Sequence, residues 1–534
     1  MLDHWGYGTR TMAKLRTGWH ALDRLVSDQT GSLLPMAAIA TLLLAGLMGG
    51  ALDMSRAYQV KNRLQYACDA GVLAGRRAVE SAGYNTPAQA AAARFFNANF
   101  DPALEQATNT SFVSSTPDNG NTIEAVARAR VPTLLMRIFG YEEISLSAEC
   151  TASMSVGNSD IVMVLDTTGS MAGTRIAALQ TAMKNFYDTV AGATAGSNAR
   201  VRYGFVPYSS TVNVGRLLSP EHLVNSITVQ SRQWSTRTVR ECGRYSCTDR
   251  QENYWLYKPV TYDVRQYKRF QSTSAPVGSN GSNVWSTWNG CIVERQTVAT
   301  ATVSFLNNAF TPSGLYDLDI DLAPDMNNPA TLWAPMWSQV AYYRSGNPAE
   351  STSGTSGHPA PCPQAARLLA PMSETEFDNY TDSLRAEGQT YHDIGMNWGA
   401  RLASPTGMFA DNVNERPRNG GEIARHLIFM TDGQMDPSPT TLSAYGFEVN
   451  DRRITSDGTD SQATTRHNVR FRAVCQAVKA KGLRIWVIAF GTSLTTDLRN
   501  CASAQSAFTA SDAAQLNRAF QEIAKNVGEL RIVQ

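Results

Sequence analysis

Three oxygen-bearing side chains at alternate positions, Asp166, Thr168 and Ser170, are the residues of this sequence best suited to chemistry. They follow an apolar run, residues 161–165, in which three of the five residues are β-branched. Such a run predicts a strand buried on both faces, as in a parallel sheet. Polar groups that follow a central strand lie where open α/β sheets bind ligands. Because carboxylate and hydroxyl oxygens are hard donors, the pattern predicts a site for Mg²⁺, Mn²⁺ or Ca²⁺.

A helix is predicted to follow this loop, over residues 175–190. Its apolar residues recur at helical spacing: Ile176, Leu179, Met183, Phe186 and Val190. The polar loop therefore lies between a buried strand and an amphipathic helix. The alternative interpretation is a simple turn, in which the same polar residues only cap the helix.

Asp166-x-Thr168-x-Ser170 resembles the Asp-x-Ser-x-Ser signature of von Willebrand factor type A (VWA) domains, whose metal site is the metal-ion-dependent adhesion site. Residues 388–395 resemble the Gly-Gly-Thr loop of that family, and residues 426–433 resemble its later strand ending in Thr-Asp-Gly. All three stretches occur in the family's order. The resemblance implies an α/β domain built on a doubly wound parallel sheet, and the alternation of predicted strands and helices agrees with it.

By this resemblance, five side chains surround one divalent cation: Asp166, Thr168, Ser170, Thr390 and Asp432. The family pattern implies hydroxyl ligands from Ser170 and either Thr168 or Thr390. Asp166 and Asp432 would supply charge, directly or through water, and one position would remain for an acidic residue of a protein partner. We expect Mg²⁺, with Mn²⁺ or Ca²⁺ as alternatives, because Mg²⁺ accepts few protein ligands and keeps several waters.

The composition excludes several classes of function. With 47 basic and 46 acidic residues, the 534-residue chain has no electrostatic footprint for nucleic acid, and its length predicts two or three domains. It contains no Gly-x-Ser-x-Gly, His-Glu-x-x-His or phosphate-loop motif, so we expect no catalytic activity. Two alternatives remain: a metal-dependent hydrolase with active-site groups in a long insertion, and a VWA subunit serving a cytoplasmic ATPase or chelatase. His392 is either a general base or, as we expect, a hydrogen-bonding partner within its loop.

An apolar stretch near the N-terminus predicts a membrane span. Residues 31–52 carry no charge, and this length crosses a hydrocarbon core of ~30 Å. We therefore expect a cytoplasmic tail at 1–30, a transmembrane helix at 31–53, and one long helix that continues to about residue 80. A cleaved signal peptide or a buried soluble helix is the alternative. Glycines along the helix would admit another helix or simply face lipid: Gly46, Gly49, Gly50, Gly71 and Gly75.

The same region is similar to the N-terminal part of TadG-type proteins, which belong to the tight-adherence (Flp/Tad) pilus assembly systems of bacteria. The similarity rests on residues 28–31, the apolar span, residues 52–58 and residues 64–70. It implies a single-pass protein of the bacterial inner membrane, with its large C-terminal region in the periplasm. The predicted function is thus a membrane-anchored, non-catalytic part of pilus assembly or adhesion, with other pilus components as partners.

Eight cysteines, none in a Cys-x-x-Cys pair, favour structural disulfides over zinc or redox sites. Cys475 and Cys501 flank one predicted helix–strand turn, so their bridge is the most secure. Cys242–Cys247 is predicted next, and two weaker pairings follow mostly by elimination: Cys291–Cys362 and Cys68–Cys150.

Two folded regions are predicted beyond the membrane span. Residues 54–156 form a helical extension and a small α+β stalk, and residues 157–534 form the VWA domain. An insertion at about 212–385 interrupts this domain and holds six of the ten tryptophans. We expect an irregular, disulfide-supported, β-rich insertion whose aromatic residues bury a small core, although exposed aromatic residues would suit a partner or glycan.

Overall fold

The computed structural model describes residues 33–79, 84–117, 122–153, 158–195, 197–344, 349–354 and 360–527. The chain forms two compact units, one ending at Met154 and the other beginning at Ser155. The tail predicted at residues 1–30 lies outside the described residues.

The N-terminal unit begins with a single 45-residue helix, α1 (Leu33–Arg77). Its residues Leu34–Arg77 are long and apolar enough to cross a membrane, by length and composition. No proline interrupts α1 after Asp53, so nothing breaks its hydrogen-bond ladder. The prediction of one helix that continues well past the apolar span is confirmed.

The second half of α1 packs within a small α+β layer. This layer contains helix α2 (Thr86–Asn99) and an antiparallel sheet in the order β1-β2-β3. The three strands are β1 (Thr108–Ser115), β2 (Thr122–Pro132) and β3 (Glu143–Ser153). A disulfide between Cys68 and Cys150 joins α1 to β3. A Cβ placed on Gly75 would lie 2.8 Å from the Cβ of Ala92 on α2, so a glycine is needed for this close helix approach.

The C-terminal unit contains eight longer strands and six helices among the residues that the structure describes. The strands are β4 (Asn158–Asp166), β5 (Val201–Tyr208), β6 (Ser226–Cys242), β7 (Cys247–Asp263), β8 (Arg367–Ala370), β9 (Ile423–Thr431), β10 (Arg484–Phe490) and β11 (Ala507–Ala510). The helices are α3 (Thr174–Thr194), α4 (Glu374–Asp382), α5 (His392–Ala403), α6 (Asp460–Ala480), α7 (Thr496–Cys501) and α8 (Ala513–Val527).

Shorter elements lie between these. They are the strands Thr273–Ala275, Val284–Ser286, Ile292–Val293, Ser304–Leu306, Ala309–Thr311, Ala334–Pro335 and Glu350–Ser351, and the helical turns Ala410–Val413 and Glu448–Asp451.

A six-stranded sheet organises this unit, in the order β8-β5-β4-β9-β10-β11. Neighbouring strands from β5 to β11 run parallel, but β8 runs antiparallel to β5. The predicted parallel arrangement therefore holds for five of the six strands, and the antiparallel edge strand β8 makes the sheet mixed. The chain passes through β8 inside the predicted 212–385 insertion, and β8 covers backbone groups that β5 would otherwise leave unpaired at the sheet edge.

Helices cover both faces of the sheet. Side chains of β4 alternate between the two cores: Ile161, Met163 and Leu165 pack with α3 and α8, whereas Val162 and Val164 pack with α5 and α6. All nine residues of β4 are buried, as its unbroken apolar run predicts. The central position of β4 fixes the loop that follows Asp166 at the middle of one sheet edge.

The insertion is built around a long hairpin. Strands β6 and β7 have 17 residues each, and a disulfide between Cys242 and Cys247 closes their tip. Four of the six tryptophans in the insertion are buried and Trp285 is exposed, so most of its aromatic residues form core. Together with Cys291–Cys362 and Cys475–Cys501, all four predicted disulfides are present.

Buried ion pairs fasten the insertion to the helices of the sheet. Glu294 accepts hydrogen bonds from Trp398 Nε1, at 2.5 Å, and from Arg401 Nη1, at 3.0 Å, both on α5. Asp317 forms a second buried ion pair with Arg470 on α6. Because each charge has a partner of opposite sign, the burial of all four groups is tolerated.

Candidate metal site

The candidate site lies where β4 and β9 end side by side. Leu165 is paired with Met430 in the parallel register of these strands, so Asp166 and Asp432 emerge at the same edge. The chain continues from β4 to β5 on one side and later places β9 on the other side. The crevice between β4 and β9 is thus a topological switch point, where open α/β sheets bind ligands.

Hydrogen bonds fix the Asp166 carboxylate. Its Oδ1 accepts from the backbone N–H of Thr168 at 2.9 Å, and its Oδ2 accepts from Thr431 Oγ1 at 2.7 Å and Tyr208 Oη at 3.3 Å. Asp166 is fully buried. This burial, together with repulsion from Asp432, raises the pKa of Asp166 to about 6. A positive charge near this carboxylate would relieve both effects.

Two hydroxyls connect the aspartates. Thr168 Oγ1 lies 3.0 Å from Ser170 Oγ, and Ser170 Oγ donates to Asp432 Oδ1 at 2.7 Å. Thr168 is buried, whereas Ser170 is exposed on a single 3₁₀ turn, Gly169–Met171. The structure therefore gathers four of the five predicted residues into one chain of oxygen atoms that opens to solvent at Ser170.

The fifth residue, Thr390, lies on a loop that is hydrogen-bonded to the loops that carry Ser170 and Asp432. The backbone N–H of Gly169 donates to the carbonyl of Gly388 at 2.8 Å, which joins the first loop to the Thr390 loop. Thr390 itself accepts a backbone hydrogen bond from Asp436, and a Cβ placed on Gly433 would lie 3.8 Å from Thr390 Oγ1. Thr390 is thus buried beside the loop that carries Asp432.

Arg175 is a member of the site that sequence reasoning missed. Its Nη1 lies 2.6 Å from Oδ2 of Asp432, and the Asp432 side chain is fully buried. Arg175 is the second residue of α3. The first turn of a helix favours acidic rather than basic side chains. An arginine at this position could therefore have indicated that a carboxylate lies nearby.

The donor set fits a hard divalent cation. Among the described residues, no group of three or more His, Cys, Asp or Glu side chains is placed to hold a metal. A cation here would therefore depend on hydroxyl oxygens as well as on the two aspartates. Hydroxyl and carboxylate oxygens suit Mg²⁺, Mn²⁺ and Ca²⁺ and do not suit softer metals that prefer thiolate ligands.

His392 is a buried residue that contacts the site through Thr431. Its Nε2 lies 3.0 Å from Thr431 Oγ1, which in turn holds Asp166. Burial lowers the pKa of His392 to about 4, so its imidazole is neutral at physiological pH. The hydrogen-bonding partner of His392 is thus at the end of β9 and not in its own loop.

One family is similar to part of the chain. Residues 31–93 match the family described as putative Flp pilus-assembly TadE/G-like. This segment covers α1 from its apolar end into α2. No curated protein sequence matches the chain.

The chain also shows remote similarity to solved structures. The chain is similar to the pilus adhesin SpaC from Lactobacillus rhamnosus GG, at 12% identity and a TM-score of 0.30, over 78% of this chain and 34% of that one. It is also similar to the type V pili tip protein Mfa5 from Porphyromonas gingivalis, at 11% identity and a TM-score of 0.27, over 78% of this chain and 55% of that one.

A third similar structure is proximal thread matrix protein 1 from the mussel byssus, with a zinc-occupied MIDAS motif. The identity is 12% and the TM-score 0.27, over 72% of this chain and 50% of that one. The chain spans about a third to a half of these structures. TM-scores this low support no inference about fold or function.

Proposed function

We propose that the chain is a membrane-anchored, non-catalytic component of bacterial Flp/Tad pilus assembly or adhesion that recognises a protein partner through a divalent cation. The family match over residues 31–93 supports the pilus role, and the apolar helix α1 supports the anchor. The protein would cross the inner membrane once. Its large C-terminal region would lie in the oxidising periplasm, which four disulfides favour.

The oxygen cluster at the switch point of the sheet carries the binding role. In the proposed site, one Mg²⁺ is held by the side chains of Asp166, Thr168, Ser170, Thr390 and Asp432. The bound cation would offer a Lewis-acidic position to a carboxylate of the partner. The loop sequences that resemble VWA domains and the raised pKa of Asp166 both support a cation at this point.

The surroundings of Ser170 favour binding over hydrolysis. Its hydroxyl is engaged with Thr168 and with Asp432, whose other carboxylate oxygen is paired with Arg175. His392 is engaged with Thr431 instead. These contacts favour the non-catalytic role over the metal-dependent hydrolase.

Crosslinking in intact cells tests the proposed recognition. Wild-type protein would be compared with Asp166→Ala, and with Asp249→Ala as a control at an exposed aspartate of the hairpin. We expect a pilus assembly component to be captured in the presence of Mg²⁺ by the wild type and the control. Capture should disappear with a chelator and in Asp166→Ala. Equal capture by Asp166→Ala would contradict the proposal.

A further inference from the structure

The connection between β2 and β3 exposes an unusual number of apolar side chains. Residues 133–141, here called the apolar loop, contain the 3₁₀ helix Met136–Phe139. Five of their large side chains are 41–73% exposed: Leu134, Leu135, Ile138, Phe139 and Tyr141. Contiguous exposed apolar side chains mark a surface that contacts another molecule or a membrane.

The apolar loop packs against the apolar half of α1 through three glycines. A Cβ placed on Gly49 would lie 2.8 Å from Leu135 Cβ, and one on Gly46 would lie 3.3 Å from the Phe139 ring. Gly50 faces the sulfur of Met136. These glycines, which the sequence left open to a helix or to lipid, admit a loop of the same chain.

Asp53 anchors the loop to α1. Its carboxylate accepts hydrogen bonds from the backbone N–H groups of Leu134, Leu135 and Met136, at 2.8–3.0 Å. Gly46, which contacts Phe139, lies seven residues before Asp53 in the sequence. Seven residues of α-helix correspond to about 10 Å, so the loop extends about that far along α1 toward its apolar end.

We propose that the apolar loop is a second membrane-contacting element, inserted into the bilayer beside α1 on the side of the C-terminal region. The inference rests on the proposed membrane anchor. If Asp53 marks the membrane boundary, Phe139 lies at the depth of Gly46, inside the hydrocarbon region. The loop carries one charged side chain, Arg137, which is exposed and long enough to reach the headgroups.

Lipid is favoured over a protein partner because the loop continues an apolar surface that must itself face lipid. The apolar half of α1 exposes large apolar side chains: Ile39, Leu42, Leu43, Leu47 and Met48 are each 59–72% exposed. Thr41 is also exposed, but its hydroxyl donates to the carbonyl of Ala37, so its hydrogen bond is satisfied within the helix. The loop lies directly on the glycines of this segment. Lipid would therefore cover the helix and the loop together.

Depth-dependent fluorescence quenching tests the inference on the full chain. All eight cysteines are paired in disulfides, so a single added cysteine can be labelled with an environment-sensitive fluorophore. Three positions are matched in exposure, at 72–73%: Ile138 in the loop, Leu47 in the apolar half of α1, and Tyr66 about 20 Å beyond Asp53. Each variant, Ile138→Cys, Leu47→Cys or Tyr66→Cys, would be reconstituted in phosphatidylcholine–phosphatidylglycerol vesicles that contain spin-labelled lipid.

The expected result is that spin-labelled lipid quenches the label at Leu47 and at Ile138, whereas aqueous iodide quenches only the label at Tyr66. Lipid quenching at Leu47 without lipid quenching at Ile138 would overturn the inference and leave the membrane anchor intact. A label at Ile138 shielded from both quenchers would mean that protein covers the loop, which also overturns it. A label at Leu47 that lipid does not quench would refute the anchor, and the inference with it.

Discussion

Replacing Asp166 by asparagine is expected to stabilise the cation-free protein and to abolish its response to Mg²⁺. Burial and repulsion from Asp432 raise the pKa of Asp166 from 3.8 to about 6. A rise of about two pKa units on folding costs about 3 kcal/mol of stability at pH 7. Asparagine has nearly the same shape but no charge. Allowing about 1 kcal/mol for re-pairing the Thr431 and Tyr208 hydroxyls, the net gain is about 2 kcal/mol.

The raised pKa of Asp166 also makes its contribution to stability depend on pH. The folded state binds the Asp166 proton more tightly than the unfolded state does, because the pKa of Asp166 is raised on folding. Without cations, the Asp166 contribution to the free energy of unfolding should therefore fall as the pH rises from about 4 to about 6 and stay level above that range. The Asp166→Asn variant should lack this contribution.

Urea denaturation of the full chain in detergent, with a chelator or with millimolar Mg²⁺, measures both effects. Asp249→Asn, at an aspartate whose side chain is 61% exposed, is the matched control and should behave as the wild type. In Mg²⁺, the wild type should gain stability and Asp166→Asn should not. A variant that is less stable than the wild type in chelator at neutral pH would refute the claim that Asp166 carries a costly buried charge.

Three further changes test neighbouring parts of the account. Arg175→Gln should bind Mn²⁺ about threefold to tenfold more tightly in an electron paramagnetic resonance titration, because it removes a positive charge from Asp432; weaker binding would contradict this. Replacing Cys475 and Cys501 together by serine should cost about 3.5 kcal/mol in urea denaturation, the value for a 26-residue loop; an unchanged midpoint would contradict it. Glu294→Ala should cost about 3–5 kcal/mol in the same assay, because it leaves buried arginine without its partner, and a cost below about 1 kcal/mol would contradict it.

The central part of the site could be predicted because its signals are local. The apolar run of β4 specifies a buried strand, and the polar residues directly after it must then lie at the sheet edge. Asp432 follows a second such strand, so the parallel register brings it to the same edge. The disulfide between Cys475 and Cys501 followed from the same argument, since both cysteines flank one helix–strand turn.

Other features depend on contacts that no local pattern contains. The antiparallel course of β8 is set by the point at which the chain returns from the insertion, far along the sequence from β5. The pairing of Glu294 with Arg401 joins residues 107 positions apart, and nothing in either neighbourhood specifies it. Asp53 and Leu134, which it binds, are 81 positions apart in the sequence, so the apolar loop could not be placed beside α1 from the sequence.

Calorimetric titration of the cation-free full chain with Mg²⁺, and in parallel with Mn²⁺ and Ca²⁺, tests the proposed metal site most directly. We expect binding at a single site per chain. Asp166→Ala should remove this binding while the circular dichroism spectrum stays that of the wild type. If none of the three cations binds at millimolar concentration, or if Asp166→Ala binds as tightly as the wild type, the site does not exist as described.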